Sequence, residues 1–121
     1  MAQFVKFEVP KELEDTQIRV IEKVKKTGKV KVGSNEVTKA IERGNAKLVL
    51  IAMDVSPPEI VMHLPLLCRE KNVPFSYVST KAILGKSAGL GVGTSSVVVI
   101  SEGDAKKDIE DLAKKLQSLK N

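Results

Sequence analysis

The sequence of 121 residues has one cysteine, one histidine and no tryptophan, which excludes several classes of protein. With Cys68 and His63 alone, one chain can build neither a disulfide framework nor a zinc site from cysteine and histidine. Both lie in an apolar stretch, where we expect a buried thiol and a satisfied or half-exposed imidazole instead of a nucleophile and its base. One tyrosine and three phenylalanines are too few to stack successive bases of a single strand.

Long apolar runs and a secretion signal are also missing from the sequence. No apolar run approaches the ~20 residues that cross a bilayer, and the N-terminus lacks a charged segment followed by an apolar one. The composition, 42% hydrophobic and 29% charged, is that of a globular chain. We therefore expect one domain over residues 1–121, in a cytoplasmic protein that does not contact membranes.

Two glycine-rich segments resemble nucleotide-binding motifs, but their spacing does not fit. Gly85-Lys86-Ser87 ends like a P-loop, yet Thr80 stands where the first glycine is required. After segment 89–93, Thr94 stands where a dinucleotide fingerprint needs its last glycine. Asp54 and Glu59 have no histidine, metal-ligand set or nucleophile near them, so capping and loop hydrogen bonds explain them better than catalysis. The sequence predicts no catalytic residue, no metal site and no cofactor.

Strand-like and helix-like segments alternate along the chain, which indicates an α/β sandwich with helices on both faces of a small central sheet. A capping box from Ser56 to Glu59 is expected to open the third helix, and Pro65 to kink or break it. In the last helix Leu119 ends an inward stripe that begins at Ile109. Strands are predicted at 29–32, 47–53, 74–78 and 95–100, and helices at 10–26, 34–43, 56–71, 81–88 and 104–119.

The helix predicted over 34–43 has the most informative pattern. Ser34 is a natural N-cap and Gly44 a natural residue just after the C-terminus. One exposed face begins at the helix N-terminus, where free backbone N–H groups favour a phosphate. That face carries Asn35, Glu36, Lys39 and Arg43.

The charge around this helix is strongly positive. Residues 23–47 contain eight lysines or arginines and two glutamates, a net charge of +6 that exceeds the +5 of the whole chain. A concentrated basic region is typical of a protein that binds a polyanion. An ordinary amphipathic helix with solvated lysines remains the alternative.

A second candidate feature is the glycine-rich loop that carries Leu90 and Val92 between a helix and a strand. Both side chains can fold back onto the core. Alternatively, they can cover an unstacked base if the loop lies beside the start of the central helix.

Five segments together resemble a known family. These are G-S-N-E-V-T-K (33–39) with I-E-R-G (41–44), then A-K-L-V (46–49), and then H-L-P-L-L-C (63–68) with K-N-V-P (71–74). They are similar to the archaeal large-subunit ribosomal protein L-seven-Ae family, with the eukaryotic small nucleolar fifteen-point-five-kilodalton protein and ribosomal protein L-thirty-e among its relatives. The likeness runs from Phe4 to Leu119.

The resemblance implies a three-layer α/β/α sandwich with a small mixed sheet that binds kink-turn and kink-loop RNA, in which sheared G·A pairs flank a sharp bend. By analogy, Asn35, Glu36 and Lys39 read the guanines of those pairs, Arg43 supports backbone contacts, and Lys81 approaches a flipped-out nucleotide. The loop 90–92 covers the kink. The implied RNA-binding residues are Lys31, Gly33, Asn35, Glu36, Lys39, Arg43, Lys81, Leu90 and Val92.

The same resemblance implies the partners. They are kink-turn RNAs of the large ribosomal subunit, of box C/D and H/ACA guide ribonucleoproteins with their core proteins, and of archaeal ribonuclease P in tRNA processing. A monomer is expected when the protein is free. Val32, Gly91 and Gly93 depart from the family pattern, which implies a lost phosphate contact and a more mobile loop. Two alternatives remain. One is a protein-interaction module with only non-specific RNA affinity. The other is a nucleotide-dependent transferase, which the failed glycine spacings disfavour.

Overall fold

The computed structural model describes residues 8–120, and side chains up to Leu119. The start of the family likeness, from Phe4 to Phe7, lies outside the described residues. Two short 3₁₀ turns, Pro58–Ile60 and Gly103–Ala105, accompany the main elements. The strands are β1 (Lys29–Val32), β2 (Leu48–Ala52), β3 (Phe75–Val78) and β4 (Ser96–Ser101); the helices are α1 (Lys11–Thr27), α2 (Ser34–Glu42), α3 (His63–Glu70), α4 (Lys81–Ser87) and α5 (Lys106–Lys120).

The strands form one four-stranded mixed sheet in the order β1-β4-β2-β3. The last strand in the chain, β4, lies between β1 and β2 and is antiparallel to both, whereas β2 and β3 are parallel. The start of β4 therefore lies beside the C-terminal ends of the other strands. In register, Val32 pairs with Val97, and Ile51 with Ser96.

Helices cover both faces of the sheet. Every residue of β2 and β3 is buried, as expected for strands packed on two sides. Helix α2 packs against α3 on one face, and α1 packs against α4 and α5 on the other. This arrangement confirms the predicted α/β fold, a three-layer α/β/α sandwich with a small mixed sheet.

The structure confirms one of the two capping residues predicted for α2 and moves the other by one position. Gly33, not Ser34, occupies the N-cap position, and no side chain caps the helix. At the C-terminus Gly44 has φ 76°; its N–H donates to the Ile41 carbonyl, and the Asn45 N–H donates to that of Ala40. These two bonds form a Schellman motif, so the prediction for Gly44 is confirmed and that for Ser34 as N-cap is wrong.

The predicted capping box at Ser56 is also wrong. The segment begins with the 3₁₀ turn Pro58–Ile60, which has no side-chain cap, and α3 starts only at His63. Pro65 is then the third helical residue, where a backbone N–H has no intrahelical partner, so proline neither kinks nor breaks the helix. By contrast, the Thr80 side chain accepts a hydrogen bond of 3.2 Å from the Ile83 N–H and caps α4.

These two positions give a matched test of capping. We expect Thr80→Ala to lower the free energy of unfolding by about 1 kcal/mol, the usual value of an N-cap. Ser56→Ala should change it by less than about 0.5 kcal/mol, since the exposed Ser56 caps no helix. Urea denaturation followed by circular dichroism measures both. Equal losses in the two variants would contradict the assignment.

Helix α1 protects the outer edge of β3 with a polar side chain that the sequence analysis missed. Gln17 is fully buried; its Nε2 donates to the Tyr77 carbonyl at 2.9 Å, and its Oε1 accepts from the Ser76 hydroxyl. Just after the C-terminal end of β3, the Ser79 N–H donates to the Glu14 carboxylate. An open strand edge invites pairing with other chains, and these contacts cover it. Gln17 lies four residues from both Leu13 and Ile21, and this spacing was the signal.

The last helix differs from the prediction at both ends. The 3₁₀ turn Gly103–Ala105 precedes it, so α5 begins at Lys106 and not at Asp104. Ile109, Leu112 and Leu116 are buried as predicted, but Leu119 is exposed because it lies in the final turn, at the edge of the layer.

Candidate nucleic-acid interface

Three segments meet at one end of the sheet, beside the start of β4. The Gly33 N–H donates to the Ser96 carbonyl at 3.0 Å, which fixes the start of α2 to this strand. Asp54, just after β2, accepts the Lys81 N–H at 2.8 Å, and the Lys81 carbonyl accepts the Thr94 N–H at 3.2 Å. The starts of α2 and α4 and the loop 89–95 therefore share one surface.

The exposed face of α2 is polar, as predicted. Asn35 and Lys39 are exposed and four residues apart, so they stack on adjacent turns of one face. Glu36 is half exposed, and its Oε2 lies 3.8 Å from the Nζ of Lys31 on β1. Arg43 follows the last helical residue, about 12 Å along the axis from Asn35. The opposite face, formed by Val37, Ala40 and Ile41, is buried.

The polar groups of this face have unused hydrogen-bonding capacity. Within residues 8–119, the side chains of Asn35, Lys39 and Arg43 make neither a hydrogen bond nor an ion pair. No side chain caps the helix, so its first N–H groups also point outward. An amide, a carboxylate and an ammonium side by side offer both donors and acceptors, the combination that reads base edges.

The two apolar residues of the loop 89–95 differ in burial: one folds back onto the core and the other is exposed. Leu90 is partly buried and packs against the core, whereas Val92 is 73% exposed. The loop backbone lies tightly on α4, because a Cβ added at Gly85 would lie 2.1 Å from the Val92 carbonyl oxygen. The site therefore presents Val92 and the exposed Lys81 next to one another, while Leu90 mainly holds the loop in place.

Known proteins share the sequence pattern and the fold of this chain. Residues 16–109 match the Ribosomal protein L7Ae/L30e/S12e/Gadd45 family. The chain belongs to this family. The structure is similar to that of the Giardia lamblia 15.5kD RNA binding protein, with a TM-score of 0.91, 31% sequence identity, and coverage of 98% of this chain and 99% of that chain. The predicted family resemblance is confirmed, and with it the prediction that the chain is not an enzyme.

The residues considered for catalysis have structural roles in this L7Ae-family chain. Gly85-Lys86-Ser87 is the last turn of α4 and not a phosphate-binding loop, and Asp54 is held by the Lys81 N–H. Cys68 is fully buried. Between residues 8 and 119 no three acidic, histidine or cysteine side chains cluster so as to hold a metal ion, and no helix there is long and apolar enough to cross a membrane.

The fold divides the basic region of the sequence between two surfaces. Lys23 lies on the α1/α5 side, where its Nζ donates to Asp108 Oδ2 at 2.8 Å. This hydrogen bond, together with the charge of Asp108, raises the pKa of Lys23 above its usual value. The charge count over residues 23–47 therefore overstates the positive charge beside α2.

A hydroxyl links α2 to α3 behind the exposed face. The Thr38 Oγ1 donates to the Ser34 carbonyl at 2.7 Å and lies 2.8 Å from His63 Nε2. The tautomer of His63 sets which of the two groups donates in the second bond, and in either case the ring is hydrogen-bonded to Thr38. The prediction of a satisfied histidine is confirmed.

Removing this hydroxyl should loosen the contact between the two helices. We expect Thr38→Val, which keeps the side-chain shape, to lower the free energy of unfolding by about 0.5–1 kcal/mol through two lost hydrogen bonds near the surface. Thr38→Ser keeps the hydroxyl and should recover most of the loss. Chemical denaturation of the three proteins measures both effects. A valine variant as stable as the serine variant would show that the hydroxyl contributes nothing.

Proposed function

We propose that the protein binds kink-turn RNA through the start of α2, with Lys81 and the loop 89–95 beside it. The observation that carries the proposal is the uncapped N-terminus of α2 with Asn35, Glu36 and Lys39 on its exposed face. The family of the chain and the RNA-binding relative in Giardia lamblia support an RNA partner and a place in a ribonucleoprotein.

The chemistry of this face suits the edges of sheared G·A pairs. Lys39 donates to guanine O6 and N7, Glu36 accepts from guanine N–H groups, and Asn35 can do both. An acceptor for guanine explains why a carboxylate stands within a basic surface. Lys31 lies within 3.8 Å of Glu36 and holds it in position, and Gly33 leaves the helix N-terminus open to a phosphate.

The remaining residues are assigned to the RNA around the kink. Arg43 contacts the backbone at the far end of α2, Lys81 approaches a flipped-out nucleotide, and Val92 covers it with Leu90 supporting the loop. The protein stabilises the bent RNA because it binds that conformation more tightly than the extended one.

A fluorescence resonance energy transfer titration tests the proposal. One RNA carries tandem G·A pairs beside a bulge, and in the other these pairs are replaced by Watson–Crick pairs; donor and acceptor dyes report the angle between the stems. We expect tight binding and bending of the first RNA alone. Equal, weak binding of both would leave a basic surface without shape recognition and favour the protein-interaction module.

The cellular setting forms part of the proposal. We infer one RNA-binding domain over residues 1–121, monomeric when free and cytoplasmic. It serves the large ribosomal subunit and the box C/D and H/ACA guide ribonucleoproteins with their core proteins, with ribonuclease P, and hence tRNA processing, as a further setting. Archaeal origin belongs to the same inference.

A further inference from the structure

Three basic residues lie at the end of the sheet opposite to the start of α2. Lys29 begins β1 and pairs with Ser101 at the end of β4. Across β4, the Lys47 N–H donates to the Val99 carbonyl at 2.8 Å just before β2. Arg43, at the C-terminus of α2, precedes Lys47 by four residues. We call Lys29, Arg43 and Lys47 the far cluster.

The charges of the far cluster are not neutralised by neighbouring carboxylates. In the described part of the chain the ion pairs are Lys23 with Asp108 and Lys31 with Glu36, so no residue of the far cluster has an acidic oxygen within 4.0 Å. All three side chains are exposed. Glu42 precedes Arg43, and Glu102 follows Ser101, the strand partner of Lys29; three cations against these two carboxylates leave a net positive charge.

Structural roles explain part of this cluster. A cation at position 43 is favoured by the negative end of the α2 dipole, and a lysine at position 29 on the edge strand β1 discourages pairing with other chains. Lys47 has neither explanation, because it precedes the internal strand β2 and follows no helix directly. Lys47 lies about 10 Å across β4 from Lys29, a separation at which both ammonium groups can contact one polyanion.

The far cluster is continuous with the candidate RNA site through α2. The helix extends about 12 Å from Asn35 to Arg43, and β4, with six residues, spans about 20 Å between the two ends of the sheet. An RNA duplex that leaves the site alongside α2 covers about 20 Å in about seven base pairs, since its A-form rise is shorter than that of DNA. Its phosphates would then pass Arg43 first and Lys47 and Lys29 next.

We propose that Lys29 and Lys47 form, with Arg43, a second phosphate-contact surface that holds the backbone of an RNA stem leaving the kink along α2. This inference rests on the proposed function and adds a separate prediction: affinity depends on stem length. The surface reads no bases, since each cation contacts phosphate regardless of sequence.

The test compares the double variant Lys29→Gln/Lys47→Gln with the parent on pairs of kink-turn RNAs. Within each pair one stem has about three or about nine base pairs and the other stem is unchanged, and each of the two stems is varied in turn. With the long stem, we expect the slope of log affinity against log salt to become shallower by about two, and the affinities of the two proteins to converge as salt rises. With the short stem, the two proteins should bind equally. Lys107→Gln/Lys114→Gln on α5 is the matched control.

Two results would overturn the inference. If the double variant binds the long-stem RNA with the parental salt slope whichever stem is extended, the far cluster contacts no RNA. If it loses the same affinity for both stem lengths, or no more than the α5 control, the lysines act through the general charge of the protein. In either case the parent still prefers kinked over Watson–Crick RNA, so failure of this inference is distinct from failure of the proposed function.

Discussion

Replacing Lys39 by alanine should weaken binding to a kink-turn RNA by about 1–3 kcal/mol, the value of one good contact between a side chain and a guanine edge. Lys39 is exposed and makes no ion pair within the described residues, so its side chain is free to donate to guanine O6 and N7. For the same reason its removal should change the free energy of unfolding by less than about 0.5 kcal/mol. Fluorescence titration gives the affinity and urea denaturation gives the stability.

The control for this experiment is Lys114→Ala, which removes an exposed lysine from α5 on the other face of the sheet. A general loss of positive charge would weaken RNA binding similarly in both variants and would do so for kinked and Watson–Crick RNA alike. A base contact made by Lys39 requires that its variant lose preference for the kinked RNA as well as affinity. Parental affinity of Lys39→Ala for kink-turn RNA would rule out the assignment of α2 as the reading helix.

The second large effect is expected at Gly85 in α4. Alanine normally stabilises a helix interior relative to glycine, by about 1 kcal/mol. Here the added Cβ would lie 2.1 Å from the Val92 carbonyl oxygen and 2.9 Å from the Gly93 Cα, both backbone atoms that move only with the loop. We therefore expect Gly85→Ala to lower the free energy of unfolding by about 1–3 kcal/mol. Because the displaced loop carries Val92, affinity for kink-turn RNA should fall too.

Gly91→Ala provides the matched comparison in the same loop. No atom lies within 4 Å of a Cβ added there, and the backbone does not need glycine. This variant should be unchanged or more stable, by about 0.4–1 kcal/mol, because alanine restricts the unfolded chain. Thermal and urea denaturation of both proteins decide the issue: a gain of stability in Gly85→Ala would mean that the loop does not lie on α4 as described.

Local pattern was sufficient for much of the fold. The buried face of α2, the internal strand β2 and the Schellman glycine at position 44 were all predicted, because apolar spacing and left-handed glycine are properties of short segments. The same reasoning failed at Ser34 and Ser56. A serine before a helix is a common cap, but the direction in which the chain enters each helix decides whether its hydroxyl reaches the N–H groups.

The convergence of the candidate site was beyond local pattern. Lys81 and Val92 lie near the start of α2 because β4 inserts between β1 and β2 and runs antiparallel to both. Strand order and direction depend on the whole chain and were not readable. The family resemblance did predict that these residues act together. Gln17 has no part in the family motif and was not predicted, although its position on the buried stripe of α1 indicates burial.

The bond between Gly33 and Ser96 has a consequence for how the protein is made. The residues assigned to base reading lie in the first 43 positions, but the strand that anchors their helix begins at residue 96. The framework of α2 can therefore assemble only after β4 has been synthesised, and closing such a long loop is slow compared with forming a helix. Nascent chains are thus expected to bind RNA only once β4 has left the ribosome.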